Sequence, residues 1–189
     1  MSAFDDLIAL NLVPLVHRIL GIPLEFKWPR VPEEVRRFQF SYRFGDRSKA
    51  LASWTAYSRR KTASATTVDE AILAYVSSPD GPCSQQARDK WDDLSRLEVL
   101  SANTLAEIIW VEARTLFGSH VRFLAQQKWQ AISMKMVREA TTLLEFIIIR
   151  HGTRDMFESR KIAESELLRL RRESAEDFEN QARAILNLL

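Results

Sequence analysis

Proline is missing from the larger part of this chain. All six prolines (Pro14, Pro23, Pro29, Pro32, Pro79 and Pro82) fall within the first 82 of 189 residues. Residues 83–189 hold none, and only two of the five glycines, Gly118 and Gly152. Proline breaks helices by removing a backbone donor, and glycine weakens them. So long a stretch without either predicts a set of long helices.

Other shortages narrow the function. Cys83 is the only cysteine, which excludes an internal disulfide and fits a reducing compartment. No run reaches the roughly 18 apolar residues of a membrane span. Residues 7–20 are apolar, but Asp5 and Asp6 precede them where an export signal carries positive charge, so the expectation is a soluble, cytoplasmic protein. There is no G-x-G-x-x-G, Walker A loop, H-E-x-x-H, C-x-x-C or G-x-S-x-G. His17, His120 and His151 lie in separate elements without a carboxylate at metal-ligand spacing, and read as surface or capping histidines. His151, near a helix end, suits the dipole when protonated. Asp89, Asp92 and Asp93 read as a solvated helix face. No catalytic residue, metal or cofactor is expected.

What is present is helical pattern and local charge. Hydrophobic residues at 46% suffice for a sizeable core, and 28% charged residues are ordinary for a soluble protein. Residues 3–20 read as a first helix stopped by Gly21, with Pro14 kinking or dividing it. The segment 22–32 reads as extended. Thr67-Val-Asp-Glu70 and Thr104-Leu-Ala-Glu107 are capping boxes, opening helices to about Ser77 and to Gly118. Ser84 caps a helix through about Leu100. Residues 119–151 form one long apolar element closed by Gly152 in the left-handed conformation. Residues 153–189 form a last helix, with Leu167, Leu170, Phe178 and Ile185 on a stripe suited to self-association or to the chain's own core. The fold class is all-α: a bundle of five or six helices with a small β element near residues 36–44. Residues 1–61 form an amino-terminal helix plus a proline-rich arm, and 62–189 the bundle body.

The β element comes from the alternation of Phe38, Phe40, Tyr42 and Phe44 with Arg37, Gln39, Ser41 and Arg43. Period two predicts a strand with rings on one face and cations on the other. Residues 59–67 read as a basic loop. The net charge is only +2, but residues 30–61 carry nine Lys/Arg against three Asp/Glu, and residues 62–100 carry three against seven. Single-stranded nucleic acid is held by cations on phosphates and rings on bases. Arg36, Arg37, Arg43, Arg47, Arg59, Arg60 and Lys61 are therefore the candidate binding residues, with RNA the expected ligand. A plain strand with solvated arginines remains open. So does docking on an acidic protein partner, such as the acidic segment of a second copy.

Gly152-Thr153-Arg154-Asp155-Met156-Phe157-Glu158 resembles the carboxy-proximal signature of coat proteins of rod-shaped plant RNA viruses, in which an Arg precedes Phe-Glu by two residues after the last core helix. Arg43-Phe44-Gly45 is similar to the start of that family's small sheet region. The resemblance implies a helical subunit that self-associates around single-stranded RNA in a virion. It gives Arg154, Phe157 and Glu158 a role in fold and packing. The resulting expectation is a non-enzymatic assembly protein that binds RNA. The alternatives are a small helical subunit of a bacterial ribonucleoprotein complex and a protein-binding adaptor or regulator.

Overall fold

The computed structural model describes residues 10–187. The first-helix reading over residues 3–9 and the end of the last helix at 188–189 lie outside them. Ten α-helices are present among the described residues: α1 Val13–Leu20, α2 Glu33–Phe44, α3 Arg47–Ser64, α4 Val68–Val76, α5 Pro82–Ser101, α6 Leu105–Arg114, α7 His120–Glu139, α8 Leu143–His151, α9 Glu158–Glu173 and α10 Ala175–Leu186. The all-α expectation stands. The helix count exceeds the expected five or six, and no strand occurs among the described residues.

The expected β element at 36–44 is helix α2. Pro32 precedes it with φ −58°, and Glu33 and Glu34 occupy its first turn, where carboxylates suit the positive end of the helix dipole. A strand at this position needs a neighbouring strand, whereas a helix satisfies its own backbone. The basic stretch 59–64, read as a loop, is the last turn and a half of α3. The helix read over 3–20 is not continuous, since residues 10–12 are non-helical; α1 starts at Val13, and Pro14 occupies its first turn, where its missing N–H costs nothing. Gly21 closes α1 at φ 67°, in the left-handed region.

The chain falls into two compact units. The central unit is Phe26–Ser101 with Arg114–Leu124. The terminal unit is Ala102–Ala113 with the described parts of Met1–Glu25 and Ala125–Leu189. Residues 26–61 and 62–101 thus share one unit, and neither unit has an edge at residue 61.

The central unit packs α2, α3, α4 and α5 against one another. Its core holds Ala65, Val68, Ala71, Ile72 and Trp91, flanked by Phe26, Tyr75, Val76, Leu94 and Leu116. Trp91 is fully buried. Its Nε1–H donates to the Arg114 carbonyl at 2.9 Å, and Trp28 and Tyr75 meet its ring at centroid distances of 5.7 and 5.5 Å. The buried Arg114 guanidinium pairs with Asp69 at 3.2 Å and with Glu98 at 2.5 Å. Cys83 is buried in the first turn of α5.

The terminal unit packs Leu12, Leu15 and Val16 with Val137, Leu143, Phe146, Ile147, Ile149, Ala163, Leu167, Phe178, Ala182 and Ile185. The apolar run of α8 is thus central to this unit. Three expected helices are shorter than read. Helix α6 ends at Arg114, before Gly118, which lies in a turn at φ 74°. The element 119–151 breaks at Ala140, because Thr142 and Glu145 form a capping box that starts α8. Residues 153–189 are not one helix either. Ser174 ends α9 by donating its N–H to Leu170, and its carbonyl accepts the first bond of α10 from Phe178 at 3.0 Å. Gly152 closes α8 at φ −89°, outside the left-handed region.

Candidate nucleic-acid interface

Helix α2 has two faces, and both carry rings. Successive helical residues advance by about 100°, so Glu33, Arg36, Arg37, Phe40, Arg43 and Phe44 all fall within about 60° of the Phe40 direction. Val35, Phe38 and Tyr42 lie on the other side, Val35 fully buried and the two rings partly so. The alternation that a strand would resolve into a ring face and a cation face is resolved differently by a helix. Two rings go inward, and two stay outside with three arginines.

The outward pair is well defined. Phe40 and Phe44 are 66% and 67% exposed, with centroids 5.0 Å apart. The Arg43 guanidinium lies 5.3 Å from the centre of the Phe44 ring. Arg36 Nε donates to the Val31 carbonyl at 3.2 Å, and Arg37 Nη2 donates to Glu33 Oε1 at 2.6 Å. That hydrogen bond and the Arg37 charge hold the Glu33 carboxyl below its ordinary value, and the same bond with the Glu33 charge raises Arg37.

Gly45 and Asp46 join α2 to α3. Asp46 caps α3 by accepting from the Lys49 N–H at 3.0 Å. The inward rings tie the two helices together. Phe38 meets Tyr57 edge-on at 5.9 Å, and Arg47 lies 4.5 Å from the centre of the Tyr42 ring. Burial raises the Tyr57 hydroxyl pKa, assisted by Glu34 and opposed by Arg60.

All seven predicted cations are exposed. Arg36, Arg37 and Arg43 share the ring face of α2, and Arg47 lies just past the turn. Arg59, Arg60 and Lys61 are at the far end of α3, about 18 Å along its axis from Arg47. There Lys61 Nζ sits 5.7 Å from the Tyr57 ring centre.

Beside the turn is a cavity of about 700 Å³ lined by Gln39, Tyr42, Arg43, Gly45, Arg47, Leu51, Trp54, Pro79 and Asp80. Trp54 is fixed there by its Nε1–H, which donates to the Ser77 carbonyl at 2.6 Å. Sequence reasoning missed Asp80, because nothing in its spacing links the turn before α5 to α2.

The other candidate residues lie in the terminal unit. Leu167, Phe178 and Ile185 are buried in its core and Leu170 packs against that core, so the stripe assigned to self-association is occupied within the chain. Arg154 pairs with the buried Glu112 and lies 5.5 Å from the Trp129 ring centre. Phe157 is buried and meets Trp129 at a right angle, 5.5 Å away. Trp129 Nε1–H donates to the Gly152 carbonyl at 3.1 Å. Glu158 is exposed in the first turn of α9. His151 is not a surface histidine suited to carrying charge. It is half-buried, its Nε2 has no hydrogen-bond partner, and its pKa falls to about 4 through burial and the nearby Arg150 and Arg160.

Among the described residues, no three His, Cys, Asp or Glu side chains are placed to hold a metal ion, and no helix is long and apolar enough to cross a membrane. Comparison of the chain with protein-family models, curated proteins and solved structures finds no match.

Proposed function

We propose that the protein is a non-enzymatic binder of single-stranded nucleic acid, RNA foremost, and that the outer face of α2 is its binding surface. The observation that carries this reading is the exposed Phe40–Phe44 pair with Arg36, Arg37 and Arg43 on the same face. Large apolar side chains left in water on a charged helix are useful where a partner offers flat apolar surface. Bases offer it, with phosphates at a spacing that arginines reach. An acidic protein partner would satisfy the arginines and leave the rings without a stacking surface. Arg47, Arg59, Arg60 and Lys61 extend the cationic track along α3.

The reading covers coat-like and ribonucleoprotein-subunit roles alike. Self-association through the carboxy-terminal stripe is not part of it, since those residues are committed to the core of the terminal unit. The test is fluorescence anisotropy with a labelled oligo(U) of about twelve nucleotides, titrated at several salt concentrations between about 50 and 200 mM. Saturable binding that weakens steeply with salt is expected. Absence of binding at the lowest salt overturns the proposal.

A further inference from the structure

We infer that the cavity at the α2–α3 turn is a guanine subsite, reading one base of the strand carried by the outer face of α2. This rests on the nucleic-acid reading above, because Arg43 belongs to both surfaces.

The cavity has the size of a small-ligand site, for which about 300–1,000 Å³ is usual. Its lining is divided by chemistry. Tyr42, Leu51 and Trp54 supply apolar wall. The Trp54 ring is held by its bond to Ser77, and the Tyr42 ring is covered by the Arg47 guanidinium. Walls fixed before binding lose little side-chain freedom when a planar group enters. Arg43 and Arg47 supply two guanidinium groups. Each rests against a ring, and neither is in an ion pair among the described residues. Their N–H donors suit a phosphate. Asp80 supplies a carboxylate that is likewise outside any ion pair among the described residues. It stands between the buried Pro79 and Gly81, whose φ of 101° is a conformation that side chains disfavour.

A site with paired guanidinium groups and one carboxylate excludes a simple anion and selects a zwitterionic pattern: phosphate on one side, hydrogen-bond donors on the other. Among the bases, guanine fits. Its Watson–Crick edge carries two adjacent donors, N1–H and N2–H, and a carboxylate accepts both at once. Adenine, cytosine and uracil each set an acceptor beside their donor, and that acceptor faces the carboxylate unfavourably.

The test compares labelled oligo(U) with the same oligonucleotide carrying one guanosine, together with a calorimetric titration of guanosine 5′-monophosphate alone. The wild-type protein is expected to bind the guanosine-containing strand roughly tenfold more tightly, the scale of one good bidentate contact. Asp80→Asn, whose amide offers one acceptor and one donor, is expected to abolish that advantage without weakening oligo(U) binding. The mononucleotide is expected to bind the wild type and not Asp80→Asn. If both strands bind equally, the guanine subsite is overturned while the binding surface stands. If the mononucleotide binds through Asp80 and neither strand does, the subsite stands and the strand-binding reading fails. If an advantage for guanosine survives Asp80→Asn, the assignment to this cavity is overturned.

Discussion

Phe40 and Phe44, one turn apart on α2, hold their ring centres 5.0 Å apart at an interplanar angle of 47° with most of both rings in water. This arrangement contributes little to the core, so truncating it separates binding from stability. Phe40→Ala with Phe44→Ala is expected to leave the melting temperature within a degree or two. It is expected to weaken oligo(U) binding roughly ten- to a hundredfold, since a stacked base is worth about 1–3 kcal/mol. A matching loss of stability would place the rings in the fold instead.

The arginines of the same face differ in availability. Arg37 is held by Glu33 at 2.6 Å, whereas Arg43 rests on a ring. Arg43→Ala is expected to reduce the slope of log affinity against log salt by about 0.7, the value for one phosphate contact on a single strand. Glu33→Gln frees Arg37 and removes a negative charge beside the strand, and is expected to tighten binding. If Glu33→Gln weakens it, the pair acts to orient Arg37 and not to restrain it.

Much of this fold is written in short local signals. Thr67 and Glu70 form a capping box, and so do Thr142 and Glu145. The third T-x-x-E, at Thr104, shows both bonds too, with Glu107 N–H donating to Thr104 Oγ1 at 3.2 Å and Thr104 N–H to Glu107 Oε2 at 3.0 Å. Two of the three were read from the sequence. The one at Thr142 was hidden by the apolar run around it, which looked like continuous helix. The α2 region misled for a different reason. Four rings at period two also sit at i and i+4 in two pairs, so Phe38 with Tyr42 and Phe40 with Phe44 suit a helix as well as a strand. The surrounding Glu, Arg and Gln, good helix formers, were the tie-break. The break at Ser174 showed only as a gap in the apolar stripe. The packing of α10 on α8 and α9 explains why a stripe long enough to reach a neighbour stays within the chain. Asp80 was not legible at all, since the cavity it lines joins residues far apart in sequence.

The Thr142 cap gives a direct check on the α7–α8 break. Thr142 Oγ1 accepts the Glu145 N–H at 3.3 Å, and Glu145 Oε2 accepts from Thr141 and Thr142 N–H, both at 2.9 Å. Those bonds hold the Glu145 carboxyl below its ordinary value. Thr142→Ala is expected to cost about 1 kcal/mol in urea denaturation, whereas Thr142→Ser should cost much less. No loss in the alanine variant would mean that packing alone sets the start of α8.

Arg154 joins the terminal unit through charge and ring at once. It pairs with Glu112, which is buried and also accepts from Gln126 Nε2 at 3.1 Å, and it covers Trp129. Arg154→Met keeps much of the packing but leaves the Glu112 carboxylate short of its partner. A loss of about 1–3 kcal/mol is expected, the scale for weakening the satisfaction of one buried charged group, since Glu112 is buried but Arg154 is only partly so. The double change Arg154→Met with Glu112→Gln should recover part of it. Oligo(U) affinity of the folded fraction should not change, because the binding residues lie in the central unit.

His151 sets an acid sensitivity with a defined sign. Burial, then the charges of Arg150 and Arg160, lower its pKa from 6.5 to about 4, with Glu164 opposing. The unfolded chain therefore binds a proton near pH 6.5 that the folded chain takes up only near 4. Stability is whole above pH 6.5 and falls through that window as the pH drops. The lowered carboxyls of Glu70, Glu107 and Glu145 add their losses only below about 4.5, while Asp92 and Glu98, raised by burial, work in the opposite direction. Between pH 6.5 and 5 the histidine lowers stability while any early proton uptake by Asp92 and Glu98 raises it, so the difference between wild type and His151→Gln carries the histidine's share. The urea midpoint of the wild type is expected to fall relative to that of His151→Gln across this interval. A constant difference between the two would show that the imidazole is reached by water and charges without cost.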